Sequence, residues 1–146
     1  MISIIEESKS VNKEEKNEII EFLYTHLGKY GDPKQAIEKA INFMLKKGNG
    51  LGGKIILSKD GQIINGAVVI NYTGMQDYIP ENILVYIATH QDYRGQGIGK
   101  TLMQETIKAT EGDIALHVEA DNPAVKLYEK VGFTKPYLEM RYKSHS

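Results

Sequence analysis

The sequence predicts an α+β domain: a mixed, mostly antiparallel sheet with helices on both faces. Three observations predict it. Short apolar runs rich in β-branched residues alternate with segments whose apolar residues return at helical spacing. The dipeptide Asp60-Gly61 joins two of the runs closely enough for a hairpin. Two later runs are linked through a helical stretch, and such a crossover makes the strands it joins parallel. A sheet of this kind buries both faces only if helices cover them.

The elements follow in order. Ile2 to Ile5 reads as a first strand. Asn12 is suited to cap a helix running to about Leu27, with Ile19, Ile20, Leu23 and Leu27 on one side. Gly28 to Gly31 breaks it. Asp32-Pro33 reads as a cap followed by proline at the first position of a second helix, which reaches about Lys47. The glycine-rich stretch 48–53 is a loop. Lys54 to Ser58 and Gln62 to Tyr72 form the hairpin, with Gly66 marking a bulge. After a loop from Thr73 to Asn82, Ile83 to Ile87 is a buried central strand. A third helix carries Ile98, Leu102, Met103 and Ile107 on one side. Ile114 to Ala120 is the strand parallel to the central one. Asp121 caps a fourth helix, Gly132 ends it, and Phe133 to Tyr142 closes the chain as a strand at an edge or a break because of Pro136.

A chain of 146 residues is read as a single domain spanning 1–146, long enough to bury a core. With 18 Lys plus Arg against 19 Asp plus Glu, bulk positive charge for nucleic acid is absent. There is no cysteine, which removes disulfides, a thiolate nucleophile and Cys-based metal sites. No His/Asp/Glu grouping has metal-ligand spacing, so no metal is expected. The first residues lack the basic region and long apolar run of a signal peptide, and no stretch is long enough to span a bilayer. These features fit a cytoplasmic protein with no membrane or nucleic-acid partner.

The central segment is Val85 to Lys100, VYIATHQDYRGQGIGK. It combines a strand, a polar turn and a glycine-rich helix start. The first N–H groups of a helix have no internal partners and sit at the positive end of its dipole, so they attract phosphate. Gly95, Gly97 and Gly99 leave those amides accessible, and Arg94 and Lys100 add positive charge beside Gln96 and Ile98. The spacing matches neither the Walker loop nor the dinucleotide fingerprint. It matches R-x-x-G-x-G.

On that loop the sequence resembles the GNAT superfamily of N-acetyltransferases, whose acetyl-CoA pyrophosphate loop reads Q/R-x-x-G-x-G/A. A second stretch, LHVEADNPAVKLYEKVGF, is similar to the family pattern L-x-V-x-x-x-N followed by Y-x-x-x-G-F, through Leu116, Val118, Asn122, Tyr128, Gly132 and Phe133. The element order agrees over most of the chain. The specific motifs cover Ile83 to Phe133. By residue chemistry alone, Asn122 also suits a helix cap and Tyr128 a core aromatic.

The resemblance implies acetyl-CoA as co-substrate and a splayed parallel strand pair at the cofactor site. The splay would free backbone groups at Ile87, Ala88 and Thr89 for the pantetheine amides, and an N–H near Ala88 or Thr89 would stabilise an oxyanion. Asn122 would contact the pantetheine arm or the adjacent helix backbone. Tyr128 would stand beside the thioester sulfur as proton donor. Relatives with a glutamate base on the central strand have it where Ile83 stands here. Glu81 is the replacement considered, with His117, Glu119 and Tyr86 as further polar groups on the two strands. The acceptor would enter beside Tyr24, Lys29, Tyr30, Met75, Asp77 and Tyr78. The implied function is acetyl transfer to a primary amine of a small molecule or amino-acid derivative. The alternatives are a protein N-terminus or lysine as acceptor, or a non-catalytic acyl-CoA-binding module. A monomer or homodimer suits either.

Overall fold

The computed structural model describes residues 1–7 and 11–145. Its strands are β1 (Ile2–Glu6), β2 (Gly53–Asp60), β3 (Ile63–Tyr72), β4 (Asn82–Thr89) and β5 (Ile114–Leu116). Its helices are α1 (Lys13–Leu27), α2 (Lys34–Met44), α3 (Ile98–Ala109) and α4 (Ala124–Lys130), with short 3-10 turns at Gly28–Tyr30 and Gln91–Tyr93. The five strands lie in sequence order, antiparallel from β1 to β4, and β4 pairs β5 in parallel. The mixed, mostly antiparallel sheet is as expected.

Strand periodicity divides the core. Successive residues of β2 point to opposite faces. Ile55 and Leu57 join Ile19, Leu23, Ile37, Ile41 and Met44 under α1 and α2. Ile56 joins Val68, Leu102, Met103 and Tyr128 under α3 and α4. The helices therefore cover both faces.

Local chemistry explains the element ends. The Asn12 side chain accepts the Glu15 N–H at 2.8 Å and starts α1. In the hairpin, Asp60 pairs with Ile63, so the two loop residues are Gly61 and Gln62. Gly61 supplies the positive φ of +60° that the turn needs. The register slips between Ser58 and Lys59, which leaves Asn65, next to Gly66, as the extra residue.

Six expectations are corrected. Asp32 does not cap α2. Pro33 holds the cap position, its carbonyl accepts the Ala36 and Ile37 N–H groups, and the Asp32 carboxylate turns instead to Tyr86. α2 stops at Met44, where the chain turns left-handed at Lys46. Ile107 is 40% exposed, and Thr106 takes its place inside by donating to the Leu102 carbonyl. β5 ends at Leu116 rather than Ala120, and Pro123, not Asp121, holds the cap position of α4, with Asn122 Oδ1 accepting the Ala124 N–H just before it. No strand forms over Phe133 to Tyr142; Tyr137, Leu138, Met140 and Tyr142 lie open to solvent. For Asp32 a tertiary partner outweighed the local pattern.

Gly66 sets how closely α3 rides on the sheet. A methyl at this position would stand 2.6 Å from Leu102 Cδ1 and 3.0 Å from Ile98 Cγ2. Gly66→Ala is expected to cost about 1–3 kcal/mol through overpacking. Combination with Leu102→Val should cost less than the two single changes added, by roughly 0.5 kcal/mol or more. Urea denaturation of the three variants checks this; simple additivity would mean that Leu102 does not bear on Gly66.

Candidate active site

The site is built where β4 and β5 part. Their parallel pairing comprises Asn82 with Ile114, Ile83 with Ala115 and Leu84 with Leu116, and goes no further. Beyond Leu84, the side of β4 that faced β5 has no strand partner, while β3 still holds the other side as far as Thr89. At the point of parting, β4 carries a bulge. Val69 pairs with Tyr86 and Ile70 with Leu84, leaving Val85 as the extra residue. Side-chain alternation breaks there: Val85 and Tyr86 both pack toward α1 and α2, whereas Leu84 and Ile87 face α3 and α4. A cleft thus opens between two strands, with Ile87, Ala88 and Thr89 along one wall.

The glycine-rich loop closes one end of this cleft. The His90 N–H donates to the Asn65 carbonyl at 2.9 Å, which holds the end of β4. Gly97 caps α3 in the left-handed region, with φ 80° and ψ 9° and no side chain to satisfy the first amides. A Cβ at Gly95 or Gly97 would meet nothing within 4 Å, so the approach to those amides is open. Gly99 differs: a Cβ there would come 3.3 Å from Leu127, so this glycine serves the packing of α3 on α4. Gln96 and Lys100 are exposed beside the helix start and Ile98 is half-buried. An uncapped helix start with open glycines fits a pyrophosphate. Between α3 and α4 lies a groove of about 490 Å³ lined by Lys100, Lys108, Lys130 and Val131.

Arg94 does not extend freely into solvent. Its Nη2 donates to the His26 carbonyl at the end of α1, at 3.2 Å. Asn122 uses Oδ1 to accept the Ala124 N–H at 2.9 Å. Tyr128 is buried between the sheet and α4, its ring 6.1 Å from that of Phe133. Its hydroxyl has no hydrogen-bond partner among the described residues. Burial raises its pKa, so it remains a proton donor through neutral pH.

Glu81 stands at the other end of the cleft, before the paired segment. Its Oε1 accepts the Asp113 N–H at 3.2 Å, and its carboxylate packs over Gly112. His117 and Glu119 are exposed beyond the end of β5. The structure therefore brings Ile87, Ile98 at the start of α3 and Tyr128 into one cluster beside the parting strands, with His117 and Glu119 exposed beyond β5 and Glu81 before the paired segment.

Two contacts of the α1–α2 connection were not legible as site features. The Tyr86 hydroxyl donates to Asp32 Oδ2 at 2.6 Å, and burial followed by that carboxylate pushes the Tyr86 pKa well up. The Tyr30 hydroxyl reaches the Asp121 carbonyl at 3.4 Å, bridging to the far side of the splay. Around them lie Tyr24 and Lys29, the latter over the Tyr30 ring. Met75, Asp77 and Tyr78 are exposed on the loop before β4. Among the described residues, no group of three His, Cys, Asp or Glu side chains stands where it could hold a metal ion, and no helix is long and apolar enough to cross a membrane.

A family model described as an acetyltransferase (GNAT) domain matches residues 50–135. The mycothiol acetyltransferase of Corynebacterium aurimucosum is 45% identical over 49 residues, which is 30% of this chain and 16% of that protein. The chain thus spans only a small part of the length of this relative. Among solved structures, a GNAT-family acetyltransferase from Streptococcus pneumoniae superimposes with a TM-score of 0.70 at 19% identity, covering 100% of both chains. A ribosomal-protein-alanine N-acetyltransferase from Brucella melitensis gives 0.65 at 16% identity, covering 99% of this chain and 100% of that one.

The open helix start makes a charge test possible at Gly97. Asn and Asp both tolerate the left-handed conformation and have nearly the same size. Gly97→Asp should weaken acetyl-CoA binding at least about tenfold more than Gly97→Asn, a modest fraction of the ~4 kcal/mol between charges 4 Å apart near a protein surface. Calorimetric titration of the two variants checks this. Equal affinities would place the pyrophosphate elsewhere.

Proposed function

The chain belongs to the GNAT acetyltransferase family, and from that premise we propose that it moves the acetyl group of acetyl-CoA to a primary amine of a small molecule or amino-acid derivative. The observation that carries the reading is the junction of three features at one cleft: the open start of α3, the unpartnered wall of β4 and the buried Tyr128 hydroxyl. When bound, the co-substrate supplies an acetyl thioester that an amine attacks directly.

The chain's own residues divide the work. The amides from Gly97 to Lys100 hold the pyrophosphate, with Gly95, Gln96 and Ile98 shaping the loop and Arg94 supporting it. The groove lined by Lys100 and Lys130 suits the nucleotide end. Backbone groups along Ile87 to Thr89 on the edge of β4 that faces away from β3 pair with the pantetheine amides, and one N–H of this edge donates to the acetyl oxygen. Asn122 fixes the start of α4 and so the place of Tyr128. Tyr128 donates to the sulfur as negative charge develops there. The incoming amine must arrive neutral. Glu81 could take its proton, but its engagement with the Asp113 N–H at the entry to β5 favours departure through water.

A protein N-terminus or lysine is the second reading of the acceptor. The exposed loop carrying Met75, Asp77 and Tyr78 favours it. Release of free CoA thiol, measured across a panel of small amines, amino-acid derivatives and short peptides, distinguishes the two. No thiol release with any amine would leave an acyl-CoA-binding module.

Tyr128→Phe keeps the ring and its packing while removing the donor. Turnover should fall about a hundredfold, as for a lost positioned acid, with acetyl-CoA affinity and thermal stability nearly unchanged. Normal turnover in the folded variant would reduce Tyr128 to a core aromatic.

The pH profile gives a separate check. Because the Tyr128 pKa is raised above its ordinary value of about 10, the donor stays protonated across the working range. The rate should therefore rise as the amine loses its proton, with no fall below about pH 10. Glu81→Gln should keep this profile; a lost or displaced rising limb would identify Glu81 as the base.

A further inference from the structure

We infer that His26, on the last turn of α1, is a positioning residue for the cofactor loop, fixing segment 90–94 and thereby the place of the amides that follow. The inference rests on the acetyl-CoA reading for its consequence and on geometry alone for the contact.

Three contacts converge on this residue. Its Nδ1 accepts the Gln91 N–H at 3.2 Å. Its backbone carbonyl accepts Arg94 Nη2 at 3.2 Å. Its ring packs on that of His90 with centroids 4.1 Å apart, while Phe22 backs it at 4.8 Å. His90 repeats the device within the loop, where its Nδ1 accepts the Asp92 N–H at 3.1 Å and its ring meets Tyr93 edge-on. The loop between β4 and α3 is thus tied to α1 by ring packing at His90, at the Gln91 N–H and at Arg94.

The contact requires the neutral form of the ring. An Nδ1 that accepts an N–H must carry no proton, so His26 is neutral with its proton on Nε2. Burial holds its pKa below the ordinary value, and the neighbouring His90 and Arg94 add to this, partly opposed by Asp92. The acceptor therefore persists at neutral pH. The last carbonyls of α1 have no partners within the helix, so the His26 carbonyl is free to take the guanidinium. Arg94, the first residue of the R-x-x-G-x-G pattern, is in this way used to brace the loop against α1. Because α1 leads directly into Lys29 and Tyr30, the same residue links the cofactor loop to the acceptor side.

Two substitutions separate acceptor from ring. His26→Phe keeps an aromatic ring against His90 and removes the acceptor. His26→Asn offers Oδ1 near the position of Nδ1 and removes the ring. Calorimetric titration with CoA should show affinity about fivefold weaker for His26→Phe, the loss expected of one neutral hydrogen bond, and within about twofold of wild type for His26→Asn. Hydrogen exchange in the free proteins should show faster exchange over residues 91–97 in the Phe variant and restored protection in the Asn variant. Wild-type affinity and protection in His26→Phe would overturn the inference. If wild type itself binds no CoA, the acetyl-CoA reading fails, and the exchange comparison still decides the role of His26.

Discussion

A strand of a sheet that loses its neighbour must find other partners for its backbone, because buried N–H and C=O groups cannot be left unpaired without cost. That constraint governs this protein. β4 is paired on both sides only as far as Leu84, then continues to Thr89 with β3 alone. The bulge at Val85 lies at the transition, and bulges both bend a strand and re-aim its side chains. The result is a rigid wall of unspent hydrogen bonds facing a cleft. A ligand rich in amides is the natural complement.

The second constraint is electrostatic. The start of α3 presents amides with no side-chain cap, and its N-cap glycine places no atom over them. A helix start of this kind attracts a diphosphate only if the loop before it is held in place. The hold comes from both sides: the Asn65 carbonyl from the sheet bulge, and His26 from α1. The two irregularities of the sheet thus serve one purpose, since the bulge at Asn65 anchors the loop and the bulge at Val85 opens the cleft.

The α1–α2 connection is held by two further pairs. Asp32 and Tyr86 join the α1–α2 connection to the central strand across the sheet face. Tyr30 and Asp121 join the same connection to the loop before α4. Both pairs cross between segments far apart in the chain. They make the α1–α2 connection a bridge over the splay.

The sequence by itself determined the element order as far as the fourth helix, the two-faced core and the glycine-rich start of α3. Those features rest on periodicity and short-range spacing, which survive in one dimension: the alternation of Ile55, Ile56 and Leu57, the helical return of Ile19 and Leu23, and Arg94, Gly97 and Gly99 at fixed separations. The core place of Tyr128 and the contact of Asn122 at the start of α4 were legible for the same reason. Only the tertiary structure decided which of two roles a polar residue takes. Asp32 sits where a helix cap is expected, yet Tyr86, distant in sequence, competes for its carboxylate. Arg94 has the charge for a phosphate, yet an orphan carbonyl of α1 takes its guanidinium. His26 carries no motif at all, and its meaning lies entirely in Gln91, His90 and Arg94 being brought beside it. Where β5 stops was equally hidden, because Leu116 to Ala120 has the pattern of a strand whether or not a neighbour runs alongside. Local propensity is written residue by residue, whereas the partner of a side chain or a strand edge is settled by what folding places next to it.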